Sequence, residues 1–220
     1  MLDYCIVFMH HKNCAVTRQN FELLKQLNPF PVVPLQVDAD GLDEAIVVPY
    51  NPEKLAPNIL QSKTWYYLDY IMYWWGAHKW IEAERYVFFD WDCYASKPIK
   101  DAFAHVQKCD IAVTTIQLPG IPWYYFDTCL ELLPNNLKPY ALGLTPFNGI
   151  MITRDMLNKL SVIEKPPLVF GELRMGTLAN YLGARICTTG FQNNKYAPRL
   201  IKFDPRRPDI YHPVKHLIRV

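Results

Sequence analysis

Two carboxylates separated by one tryptophan, Asp90-Trp91-Asp92, follow the apolar run Val87-Phe88-Phe89. In an extended strand, side chains two residues apart point to the same face. Asp90 and Asp92 are therefore expected side by side at a strand end. Paired carboxylates there raise each other's pKa and cost stability unless their charge is compensated. A divalent cation such as Mg²⁺ or Mn²⁺ removes the repulsion and keeps positions for phosphate oxygens. The triplet thus points to a metal–diphosphate site.

Other residues extend that chemistry. His212 and His216 are four apart; a helical turn opened by Pro213 would put both imidazoles on one face. Either can add a metal ligand, and Lys215 can hold a phosphate as a point charge. A solvated basic tail would use the same residues. Glu172 heads an apolar-patterned stretch ending near Leu182. A helix N-terminus favours the ionised carboxylate, which suits a general base and also an ordinary helix-start Glu. Gly176, Ala179 and Gly183 make a small face that permits close approach. His10-His11-Lys12-Asn13-Cys14, with Thr17 and Arg18, follows the first apolar run, where nucleotides lie in α/β sheets. No GxGxxG, GxxxxGK[ST] or GxSxG occurs, which disfavours dinucleotide, P-loop and serine-hydrolase chemistry.

The elements that must position these groups read as follows. Residues 4–9 form a buried strand, and Thr17 caps a helix carrying Phe21, Leu24 and Leu27 that ends at Pro29 and Pro31. Residues 32–37 form a second strand, completing a βαβ unit. Residues 39–62 read mostly as loop, 64–83 as a largely buried helix, and 85–92 as the strand bearing the carboxylates. A helix near 99–108 and a strand at 110–115 follow, then an irregular segment with a short helix near 126–133. A strand at 147–152 and helices at 155–160 and 172–182 complete the set. No repeat or linker divides the chain, so one α/β domain is expected over residues 1–220.

Composition narrows the class. The chain has 220 residues, half apolar and a fifth charged, which excludes a disordered segment. A net charge of +2 gives no basic excess, so nucleic acid is not an expected partner. The six cysteines contain no CxxC pair, suggesting neither a zinc site nor a disulfide framework. The start lacks a basic region followed by an apolar run, and the apolar stretch Trp65–Trp80 carries Asp69, His78 and Lys79. The expectation is a cytoplasmic protein with reduced thiols.

Phe88-Phe89-Asp90-Trp91-Asp92 resembles the DxD motif of GT-A fold glycosyltransferases. Pro146-Phe147-Asn148-Gly149-Ile150-Met151-Ile152 resembles their downstream "FN-G" strand. Glu172 in Gly171-Glu172-Leu173-Arg174 resembles the acidic base of several inverting members, and Tyr211-His212-Pro213-Val214-Lys215 resembles their late His and Lys. The resemblance runs in order from residue 4 to 216. It implies a Rossmann-like, mostly parallel central sheet with flanking helices. A nucleotide-binding half at about 1–95 would end in the DxD, and an acceptor half would occupy about 96–220.

The resemblance also implies roles. Asp92 and His212 would ligate Mn²⁺ or Mg²⁺, with Asp90 on the metal shell or ribose. His10, Thr17, Arg18 and Asp38 would lie near the base and ribose. Asn148 would touch the sugar, and Lys215 the leaving diphosphate. Asp69, a carboxylate among apolar neighbours, wants a partner and is expected to face the same pocket. Glu172 would take the acceptor's proton in an inverting transfer from a nucleotide-sugar, expected to be a UDP-sugar. The acceptor would be a glycan, lipid-linked or small-molecule hydroxyl, with peripheral membrane contact open. Two rivals stand beside this. A haloacid dehalogenase-type phosphohydrolase also uses DxD, but has Thr or Val where this chain has Tyr94. A non-catalytic nucleotide- or glycan-binding module would keep the same polar groups.

Overall fold

The computed structural model describes residues 1–36, 41–48, 68–78, 80–145, 149–166, 169–191 and 210–214. Asp38, Asn148, Lys215 and His216 lie outside the described residues.

Strand β1 (Leu2–His10) is followed by helix α1 (Ala15–Leu27), then β2 (Val32–Gln36) and the short β3 (Ile46–Val47). Helix α2 (Leu68–His78) leads to β4 (Ala83–Asp90) and β5 (Tyr94–Ala95). Helix α3 (Ile99–Ala102) precedes β6 (Ile111–Val113), β7 (Thr115–Gln117) and α4 (Tyr124–Cys129). Then come β8 (Gly143–Thr145), β9 (Ile150–Thr153), α5 (Arg154–Val162) and α6 (Gly171–Tyr181). Strands β10 (Ile186–Thr188) and β11 (Ile210–Tyr211) are the last described elements.

Among the described residues, the main sheet has seven strands in the order β10-β6-β9-β4-β1-β2-β3. Strand β1 pairs parallel with β2 on one side and β4 on the other, so the topology switches at β1. Ligands in open α/β sheets bind at such a switch, outside the carboxyl ends of the strands. The carboxylates of β4 and the loop after β1 sit at that edge. Strand β9 runs antiparallel between β4 and β6, which makes the sheet mixed.

Continuous apolar runs arise here because both sheet faces are covered. Tyr4, Ile6 and Phe8 pack with Val87, Phe89 and the α1 side chains Phe21 and Leu24 on one face. Cys5, Val7 and Met9 pack with Phe88, Trp75 of α2 and Leu157 of α5 on the other. The amphipathic α1 buries one stripe; α2 is apolar nearly all round and correspondingly buried.

Several expectations change. Cys14, not Thr17, takes the N-cap position of α1, and Thr17 is buried inside the first turn. The strand expected at 85–92 ends at Asp90, and Trp91 and Asp92 form a turn closed by the Cys93 N–H to the Asp90 carbonyl, 3.0 Å. The same-face rule therefore does not relate the two carboxylates. Residues 110–115 split between β6 and β7, which folds away to pair with β8. The expectation of wholly reduced thiols fails: Cys109 and Cys187 are disulfide-bonded, with Cα atoms 6.1 Å apart. Pairing of β10 with β6 brings together cysteines 78 residues apart, a proximity that spacing alone hides. No described helix is long and apolar enough to cross a membrane.

Gly149 and Gly176 serve packing. Gly149 has a φ of +88° where the chain enters β9 against the Phe88 carbonyl and the Phe89 ring. A Cβ on Gly176 would run into the Leu142 carbonyl just before β8, so its absence lets α6 lie against that backbone. Overpacking of this kind typically costs about 1–3 kcal/mol. Gly176→Ala is expected to lower the unfolding free energy by that amount, read as a lower urea midpoint with an unchanged m-value.

Candidate active site

Asp90 ends β4 beside Met9 of β1, and its carboxylate accepts the Trp91 N–H at 2.9 Å. Asp92 follows in the turn and is 4% exposed. Its neighbours come from the far end of the chain. Strand β11 pairs antiparallel with β5, Tyr211 opposite Tyr94, and the Val214 N–H donates to the Asp92 carbonyl at 2.8 Å. This places His212 Nε2 3.1 Å from Asp92 Oδ1, with both residues buried. His212 thus reaches the site at the end of a strand, not on a helical turn.

Asp92, His212 and Cys93 present a carboxylate oxygen, an imidazole nitrogen and a sulfur all within 4.8 Å of one another. Adjacent ligands of a six-coordinate cation with bonds near 2.1 Å lie about 3 Å apart. The Asp92–His212 separation matches that spacing, and the donor types suit a divalent metal. Asp92 and His212 therefore fit the cation that the DxD triplet suggested. Burial raises the Cys93 thiol pKa, and the nearby Asp92 and Asp90 charges push the same way.

The loop after β1 is braced internally. His10 is buried, and its Nε2 accepts the Leu42 N–H at 3.0 Å. Burial holds its pKa below the usual histidine value. Asn13 donates to the Gly41 carbonyl at 2.8 Å, and Arg18 donates to Asn13 at 2.6 Å. The buried Thr17 hydroxyl lies 3.3 Å from Cys14 Sγ. His10, Thr17 and Arg18 are thus held by bonds within the chain. Trp91 locks this loop to the carboxylate turn. The Lys12 ammonium sits 5.3 Å from its ring centre, His11 meets it edge-on, and Asn20 donates to its carbonyl.

Glu172 stands in the first turn of α6, half-buried, and accepts the Thr145 hydroxyl at 3.4 Å. Thr145 is four residues before Gly149, where an added Cβ would meet the ring of Phe89, next to Asp90. Four residues span at most about 14 Å, which bounds how far Thr145 lies from the strand that carries Asp90.

Asp69 does find a partner, but not in an open pocket. The Arg174 guanidinium grips it in a two-pronged pair at 2.6 and 2.8 Å, and both side chains are almost wholly buried. Arg174 also donates to the Val169 carbonyl at 2.6 Å and lies over the Tyr70 ring. Burial opposes its charge, yet Asp69 outweighs burial and holds the guanidinium ionised. The pair ties α2 to the start of α6, two residues from Glu172. Sequence reasoning missed Arg174; its signal is a lone charge on an otherwise apolar helix face. A cavity of about 480 Å³ lies elsewhere, lined by Leu132, Leu137, Lys165, Leu178 and Tyr181 toward the other end of α6.

No protein-family model matches the chain, and no curated protein matches it. Solved structures do. The galactosyltransferase LgtC, in complex with donor and acceptor sugar analogues, overlays with a TM-score of 0.54 at 14% identity, covering 94% of this chain and 86% of LgtC. An active-site mutant of LgtC gives 0.52 at 12%, with the same coverage. S. aureus TarS overlays more loosely, at 0.47 and 16%, covering 97% of this chain and 37% of TarS. The fold is that of the GT-A glycosyltransferases. That sets aside the haloacid dehalogenase arrangement.

Removing one partner of a buried ion pair costs about 3–5 kcal/mol, whereas replacing both by apolar groups is often near neutral. Arg174→Met is expected to lose that amount of unfolding free energy. The double variant Asp69→Leu/Arg174→Met is expected to recover most of it, measured by urea denaturation.

Proposed function

We propose that this chain is a metal-dependent glycosyltransferase that moves a sugar from a nucleoside-diphosphate donor to a hydroxyl acceptor. The observation that carries this reading is the Asp92–His212 pair. The two side chains come from distant segments and stand 3.1 Å apart, buried at the carboxyl edge of a GT-A sheet. The sugar analogues bound by LgtC support a nucleotide-sugar donor and a glycan acceptor as the partners of such a site.

In this reading Asp92 and His212 hold Mn²⁺ or Mg²⁺, and Asp90 orders the turn while facing the ribose or the metal shell. When bound, the cation would offset the negative charge that grows on the leaving diphosphate. The residues of the chain do the rest. The loop from His10 to Arg18, braced by Trp91, walls the nucleotide side of the crevice. Asp38, just after the second expected strand, is assigned to the base and ribose, and Asn148 to the sugar and Lys215 to the diphosphate on the motifs that carry them. Glu172 takes the proton of the attacking acceptor hydroxyl, making the reaction inverting. The Thr145 hydroxyl fixes the orientation of its carboxylate. A UDP-sugar is the proposed donor.

A ligand that binds only the folded state stabilises it by about 2.7 kcal/mol at a hundred times its dissociation constant. UDP with Mn²⁺ is expected to raise the melting temperature of the wild type and leave Asp92→Ala unmoved. No shift with any nucleoside diphosphate would overturn the reading. Glu172→Gln is expected to keep the UDP–Mn²⁺ shift while transfer from a UDP-sugar falls about 10²- to 10⁴-fold. Wild-type turnover in that variant would remove Glu172 as the base.

A further inference from the structure

The turn that carries Asp92 places a third kind of donor beside it. Ile210 opposes Ala95 and Tyr211 opposes Tyr94 in the β5–β11 pair. His212 directly follows β11, and Cys93 directly precedes β5. Adjacent strand ends bring their flanking residues together. The thiol, the imidazole and the Asp92 carboxylate accordingly converge within 4.8 Å, and all three residues are buried.

We propose that Cys93 is a protein ligand of the metal held by Asp92 and His212. The site would then favour borderline, thiophilic cations, Zn²⁺ and Co²⁺, over Mg²⁺. The inference rests on the metal site proposed above and deepens it. The chemistry follows from ligand softness. Mg²⁺ takes oxygen ligands in near-ideal octahedral geometry and discriminates against sulfur. Zn²⁺ accepts one Asp, one His and one Cys at about 2.0–2.3 Å, which puts tetrahedral ligand atoms roughly 3.3–3.7 Å apart. The observed 3.1 Å between oxygen and nitrogen is slightly shorter than that range, and the 4.8 Å bound on all three atoms admits it.

Three protein ligands leave a fourth position open, as in catalytic zinc sites. A donor diphosphate oxygen would fill it. Coordination takes the sulfur as thiolate, and its proton passes to solvent. The competing account is that Cys93 only packs against Phe89, Trp91 and Ala95, its companions in the core.

Cobalt separates the two accounts. The full chain, stripped of metal with a chelator, is titrated with Co²⁺ and followed by absorption. A thiolate bound to Co²⁺ gives a near-ultraviolet charge-transfer band that oxygen and nitrogen ligands lack. The wild type is expected to show that band, saturating at one Co²⁺ per chain, and Asp92→Ala to lose it. Cys93→Ser, or Cys93→Ala if the serine variant misfolds, is expected to bind Co²⁺ without the band. Its Zn²⁺ affinity should fall about tenfold or more while its Mg²⁺ affinity holds. Co²⁺ bound by the wild type without a sulfur band would overturn the Cys93 assignment and leave the Asp92–His212 site standing. Failure of the wild type to bind Co²⁺ at all would overturn both.

Discussion

A carboxylate taken out of water must be met by charge or hydrogen bonds, and at Asp92 that requirement organises one edge of the molecule. The groups that meet it do not lie nearby in the sequence. They arrive with β11, which pairs with β5 immediately after the carboxylate turn, brings the His212 ring to the carboxylate and ties the turn's backbone through the Val214 amide and the Asp92 carbonyl. The short ribbon is therefore more than a decoration on the main sheet. It fixes the angle of the turn, and the turn fixes where a cation could bind. Every other feature of the proposed donor crevice is set relative to this point.

The same logic recurs at Asp69 and Arg174. Two opposite charges, each inside an apolar environment, satisfy each other and tie α2 to the head of α6. A buried pair of this kind adds little net stability compared with well-packed apolar side chains. Its contribution is geometric: only one register of α6 against α2 satisfies both charges. Gly176 adds a second condition, because α6 reaches β8 closely enough for Glu172 to meet Thr145 only where that position lacks a Cβ. Position at this end of the sheet is thus set by two charges and one missing methyl group.

The parts legible in the sequence are those with local causes. The runs at residues 4–9 and 85–90 read as strands because both their faces are covered, leaving no polar alternation. The α1 stripe and the 172–182 helix read correctly from periodicity. The Asp90-Trp91-Asp92 triplet was legible as a candidate site, but its geometry was not, since a turn replaces the strand that alternation assumed. What stayed hidden depends on contacts between distant segments. The direction of β9, the Cys109–Cys187 bridge, the Arg174 partner of Asp69 and the strand that carries His212 all belong to this group. Trp91 is instructive here. It stands between the two acids and braces their turn against the loop after β1.

The account stands or falls on a cation shared by Asp92 and His212. Crystals grown with Mn²⁺ and UDP, measured by anomalous diffraction at the manganese edge, test it directly. The account predicts one manganese peak about 2.0–2.3 Å from an Asp92 carboxylate oxygen and from His212 Nε2, with the diphosphate on its open side. Asp92 and His212 bonded to each other, with manganese and UDP bound elsewhere or not at all, would contradict it.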